Sequence, residues 1–93
     1  MHPKKKKKVD YEALNSAFMR IPGMDVITAR ALIDLGFRET YELSGRSPEA
    51  LYDGYKKQKG EAPSQILWAL RMAVYVAETP EPDPRRLKPA LWA

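Results

Sequence analysis

The chain has no cysteine, only one histidine and no long apolar run, and each absence removes a class of function. Without thiols there is neither a disulfide framework nor a thiolate metal site, and the redox compartment is left open. The one histidine, His2, lies in the N-terminal tail, where the start of the chain explains it better than a ligand role. No stretch approaches the roughly 18 apolar residues that cross a bilayer. Val9-Asp10-Tyr11-Glu12, which follows the basic start, is too polar for a signal-peptide core. A cytoplasmic protein without membrane contact is therefore expected. Phosphate-cradling Gly-rich lysine loops, nucleophile elbows and zinc-binding helix patterns are all missing. The neighbouring carboxylates Asp34, Glu39 and Glu42 read as an exposed polar face. The expectation is a non-enzyme with no metal and no cofactor.

Positive charge is scarcer than the net value suggests. The chain carries 16 Lys and Arg against 12 Asp and Glu, a formal net charge of +4. Lys4, Lys5, Lys6, Lys7 and Lys8 form one run, and without those five the balance is 11 basic against 12 acidic residues. The folded body is thus close to neutral, and the basic pI belongs to a tail. Adjacent lysines repel one another and bury nothing, so residues 1–9 are expected to be a disordered basic arm. It reads either as an electrostatic arm for phosphate or as a solubilising terminus.

Alternating apolar–polar runs that would signal strands are also missing, and the periodicity is helical throughout. A first helix is expected from about Asp10 to Met19, with Asp10 as N-cap and Tyr11, Leu14 and Phe18 on one stripe. A second runs from Val26 to Asp34 and ends at Gly36, a suitable residue for a left-handed C-terminal turn. A short helix spans Glu39 to Leu43. Ser47 caps a fourth, with Pro48 in its first turn and Lys56-Lys57-Gln58-Lys59-Gly60 at its end. The last begins near Pro63 or Ser64 and continues to about Glu78. Ile66, Leu67, Leu70, Ala73, Val74 and Ala77 share one of its faces, and Trp68, Met72, Tyr75 and Val76 occupy much of the rest. A helix apolar nearly all round is a buried core helix, or presents one side to a partner chain.

Beyond Thr79, Pro80, Pro82 and Pro84 forbid further helix and favour an extended strap. Leu87, Leu91 and Trp92 are too apolar for a solvated tail and are expected to fold back over the helices; a docking segment for another protein is the competing reading. The sequence thus predicts an all-α, compact five-helix domain over residues 10–79, with a Pro-rich C-terminal strap over 80–93.

The segment Phe18-Met19-Arg20-Ile21-Pro22-Gly23-Met24-Asp25-Val26-Ile27-Thr28-Ala29-Arg30-Ala31-Leu32 carries the functional signal. Pro22 disfavours helix at Ile21, and Gly23 accepts the positive φ of a tight reversal. Asp25 caps the helix that follows. Helix, tight turn and helix within so few residues is the plan of a helix-hairpin-helix, so the five-helix domain is expected to be of SAM or helix-hairpin-helix type. A shift that lays Gly23 on Gly60 and Ile33 on Leu70 suggests a degenerate second hairpin.

Further motifs carry a family resemblance. Leu35-Gly36-Phe37-Arg38, Glu42-Leu43-Ser44-Gly45, Ser47-Pro48-Glu49-Ala50-Leu51-Tyr52 and Ala73-Val74-Tyr75-Val76-Ala77-Glu78 join the hairpin. With Pro80, Pro82-Asp83-Pro84 and Leu87-Lys88, they make residues 14–92 similar to the small bacterial pathogenicity-locus family, sometimes labelled mitomycin resistance proteins. The resemblance implies a compact helical protein with a DNA-binding hairpin.

In such hairpins the turn and the first amides of the second helix meet a phosphate, helped by the helix dipole, and no base is read. The turn carbonyls of well-known hairpins can also hold a monovalent cation that bridges to phosphate. Carried over to this sequence, the contact set is Pro22, Gly23, Met24, Asp25, Val26, Ile27 and Thr28. Arg30 and the lysines Lys4 to Lys8 supply side-chain and long-range contacts, the latter helped by Arg20. Duplex DNA, bound without sequence preference, is the expected partner. Two positions depart from the pattern. Asp25 stands where a second glycine is usual, and Val26 and Ile27 stand where polar or basic residues are common. These departures keep open a protein-interaction adaptor, or a self-associating chain, whose hairpin is structural.

Overall fold

Asp10 accepts a hydrogen bond from the Ala13 amide at 3.1 Å, and the chain enters its first helix there, α1 (Tyr11–Leu14). The computed structural model describes residues 9–93; the lysine run 4–8 and the arm expected of it lie outside the described residues. α1 is shorter than the sequence predicts. Ser16 Oγ donates to the Ala13 carbonyl at 2.7 Å, and the chain resumes only as a tight 3-10 turn over Ala17–Arg20. A short hydroxyl side chain that offers the backbone an alternative partner ends helices in this way. The expected stripe is lost with the break. Phe18 is fully buried, but Tyr11 and Leu14 are exposed, and Ala13 faces the core instead.

The three longer helices follow their local signals. α2 (Val26–Asp34) starts on the Asp25 carboxylate, which accepts from the Thr28 amide at 2.6 Å. It ends in a Schellman turn. The Phe37 amide reaches the Leu32 carbonyl and the Gly36 amide reaches that of Ile33, with Gly36 at φ +100°. α3 (Pro48–Lys59) is capped by Ser47 Oγ, 3.2 Å from the Ala50 amide, with Pro48 in the first turn. Gly60 closes it, and the Tyr52 hydroxyl donates to the Ala62 carbonyl at 2.7 Å across the turn that follows. α4 (Ser64–Glu78) then runs back beside α3.

The helix expected over Glu39 to Leu43 is instead a 3-10 turn, Thr40–Leu43, so the described residues hold four α-helices rather than five. No strand occurs among the described residues. α4 is the central element. It packs against α2, α3, the 40–43 turn and the C-terminal segment, burying Ile66, Ala69, Leu70, Met72, Ala73 and Val74. The C-terminal segment is less extended than its prolines suggest, with 3-10 turns over Pro84–Arg86 and Pro89–Trp92. Leu87 and Trp92 pack against the core as expected of them, but Leu91 remains 61% exposed.

Candidate nucleic-acid interface

Between the 17–20 turn and α2 the chain reverses at Pro22-Gly23. The Met24 amide donates to the Ile21 carbonyl at 3.0 Å, with Pro22 and Gly23 as the central pair and Gly23 at φ +87°. That is the pattern of a type II turn, in which the third residue must tolerate positive φ. Met24 is buried beneath it, whereas Pro22, Gly23, Asp25 and Ile27 lie at the surface and Val26 is half-buried. The Val26 and Ile27 amides, in the first turn of α2, have no acceptor within the helix. Asp25 already occupies the Thr28 amide.

The side chains expected to reach phosphate from α2 are placed otherwise. Thr28 is fully buried, and its Oγ1 has no hydrogen-bond partner among the described residues. Arg30 is committed to a carboxylate cluster. Its Nε and Nη2 form a fork on Asp10 at 2.8 and 2.7 Å, Nη2 also meets Glu12 at 2.8 Å, and Nη1 meets Asp34 at 3.2 Å. A forked guanidinium–carboxylate pair is among the stronger polar contacts, and here it ties α1 to α2. Arg20 lines an open pocket of about 310 Å³ with Arg38, Glu12 and Glu39, so its charge sits in a mixed setting.

The cluster makes a pH prediction. Hydrogen bonds from Arg30, then from the Ala13 amide, lower the Asp10 carboxyl from 3.8 to about 2. A carboxylate with a lowered folded-state pKa contributes stability that is complete above its unfolded value, and it is lost as pH falls toward the folded one. Thermal melts should show a falling Tm between about pH 4 and pH 2, part of which Asp10→Asn removes. Asparagine keeps a cap on α1, so the flattened slope reports the carboxylate's charged contacts with Arg30 and the Ala13 amide rather than a lost helix start. An unchanged slope in that variant would show that Asp10 titrates as an ordinary surface acid.

The turn has a neighbour that local sequence reasoning missed. A Cβ placed on Gly23 would lie 2.5 Å from the Leu87 carbonyl oxygen, 3.3 Å from its carbonyl carbon and 3.4 Å from Pro89 Cδ. Only a residue without a side chain lets the C-terminal strap approach so closely. The apolarity of Leu87 signals that the strap docks, but nothing local to it indicates that it docks on the turn.

No curated protein and no solved structure matches the chain. A family model described as pathogenicity locus does match, over residues 12–88. Its span runs from α1 to Lys88 of the strap, so the Pro22-Gly23 turn and the Leu87 carbonyl that rests on it both fall inside. The chain belongs to the pathogenicity-locus family, Cdd1.

Proposed function

We propose that this is a non-catalytic DNA-binding protein of the helix-hairpin-helix type, which holds duplex DNA through sequence-independent contacts to the phosphate backbone. The observation that carries the reading is the type II turn at Pro22-Gly23, which leads directly into the N-terminus of α2. There the Val26 and Ile27 amides and the positive end of the helix dipole are available to an anion. On this reading the contact set is narrower than the sequence suggests, since Thr28 is buried and Arg30 is paired with Asp10, Glu12 and Asp34.

One observation favours a second reading, a protein-interaction adaptor with a structural hairpin. Asp25 takes the Thr28 amide and the strap covers one side of Gly23, so the turn has internal employment. Fluorescence anisotropy with labelled duplex at several salt concentrations separates the two. Full-length protein with Lys4 to Lys8 changed to glutamine tests whether the folded body binds at all. Ile27→Glu tests the hairpin. Ile27 is 62% exposed in the first turn of α2, where an acid suits the dipole, so this variant should keep the fold, which a thermal melt checks. If the hairpin holds phosphate, the glutamine variant binds in a salt-sensitive manner, and adding Ile27→Glu weakens it about tenfold, or about 1.4 kcal/mol. Binding that vanishes with the lysines and ignores Ile27→Glu assigns DNA affinity to the arm alone and favours the adaptor.

A further inference from the structure

We infer that the C-terminal strap is part of the phosphate-binding surface and supplies the cations that the hairpin itself lacks. The inference rests on the DNA-binding reading and extends it to residues far along the chain. Among the hairpin residues 22–28 there is no Lys or Arg, and Asp25 brings a carboxylate. The strap over 80–93 carries Arg85, Arg86 and Lys88 against Glu81 and Asp83, and both acids precede Pro84, so the part that meets the turn is basic. The structure sets this basic segment against the turn. Lys88 lies between Leu87 and Pro89, the two residues that would touch a Cβ on Gly23.

The strap is seated firmly. Its Asp83 amide donates to the Tyr75 hydroxyl at 2.9 Å, and Trp92 Nε1 donates to the Arg86 carbonyl at 2.8 Å. Arg71 Nη1 donates to the Trp92 carbonyl at 2.7 Å, and the Trp92 and Tyr75 rings meet at 5.1 Å between centroids. These anchors leave the cations facing out. Lys88 is exposed and has no ion pair among the described residues. Arg86 is exposed, with its guanidinium 5.8 Å from the Tyr75 ring centroid. Arg85 is held by Asp83, with its side chain 90% exposed. Arg30 and Arg71, like Arg85 on Asp83, spend their donors on internal acceptors, which leaves Arg86 and Lys88, among the described residues, as the free charges of the strap. Two unpaired cations, Arg86 and Lys88, along a fixed segment beside a turn that leads into free backbone amides suit a run of phosphates better than a single small anion.

The test uses full-length protein with Lys4 to Lys8 changed to glutamine, to which Lys88→Gln or Arg86→Gln is added. Lys57→Gln, near the far end of α3, is the control. Anisotropy with labelled duplex is read as the slope of log affinity against log salt, and thermal melts check the fold. Lys88→Gln should weaken binding several-fold and reduce the slope by about 0.9, the share of one phosphate contact, with Tm unchanged. Lys57→Gln should leave the slope alone. If Ile27→Glu weakens DNA binding but neither strap variant alters the slope, the hairpin reading stands and the strap inference falls. Both fall if the arm-neutral protein binds no duplex. If polyglutamate of matched charge displaces the DNA at equal concentration, the strap serves acidic proteins and the inference is overturned.

Discussion

Gly23→Ala is expected to destabilise the protein by about 2–4 kcal/mol, and Gly36→Ala by only about 1–2 kcal/mol. Both glycines have positive φ, at +87° and +100°, so both substitutions carry the strain of an L-residue in that region. What differs is the surroundings. A methyl group on Gly36 meets nothing within 4 Å, whereas on Gly23 it meets the Leu87 carbonyl oxygen at 2.5 Å. That neighbour is backbone, in a strap held on either side of it where Asp83 meets Tyr75 and Trp92 meets Arg71, so it yields less readily than a side-chain tip would. For a domain of this size each kcal/mol moves Tm by roughly 4–8 °C, so calorimetry resolves the pair easily. Tryptophan fluorescence should shift in Gly23→Ala alone, because Trp92 moves with the strap. Equal losses in the two variants would show that the strap makes no steric demand on the turn.

The same contact bears on function. On the proposed DNA-binding reading, a Gly23 variant would lose affinity either through the turn or through an unseated strap, and binding data alone would not tell which. Ile27→Glu leaves the strap contact intact, so it isolates the hairpin. Lys88→Gln removes one strap charge and leaves the turn as it is.

The parts of the fold that were legible in the sequence are those with local causes. Asp25 and Ser47-Pro48 start α2 and α3, Gly36 and Gly60 end them, and the nearly all-apolar run from Ile66 identifies α4 as the core helix. Periodicity misled at the first helix, because the pattern joining Tyr11, Leu14 and Phe18 ignores the hydroxyl of Ser16, which competes for the Ala13 carbonyl. The candidate site was legible only in its turn. Helical spacing places Thr28 and Arg30 near the start of α2, but it does not say which face is buried. Nor does it say that Asp10, from a different helix, takes the guanidinium. The approach of Leu87 to Gly23 is a tertiary contact between segments with no shared pattern. The glycine that permits it already had a sufficient explanation in the turn.

Phe18→Ala should be the most damaging single substitution, costing about 3–5 kcal/mol. Phe18 is completely buried and stands with Leu32, Leu43, Leu70 and Met72 among the largest fully buried side chains. It lies in the short 17–20 turn just before Pro22-Gly23, a turn that has only a few backbone hydrogen bonds of its own. A turn so short persists because its side chain is buried, so the cavity left by alanine is joined by a loosened entry to Pro22-Gly23. Small domains are stable by only about 5–15 kcal/mol, so urea unfolding should show a large shift in midpoint. Tyr11→Ala is the informative companion. An unbroken helix from Asp10 to Met19 would put Tyr11 and Phe18 on one buried stripe, and both truncations would be costly. With the helix broken at Ser16, Tyr11 is 67% exposed, and its loss should stay within about 0.5 kcal/mol. Comparable losses at the two positions would restore the continuous helix and change the angle at which the chain enters the Pro22-Gly23 turn.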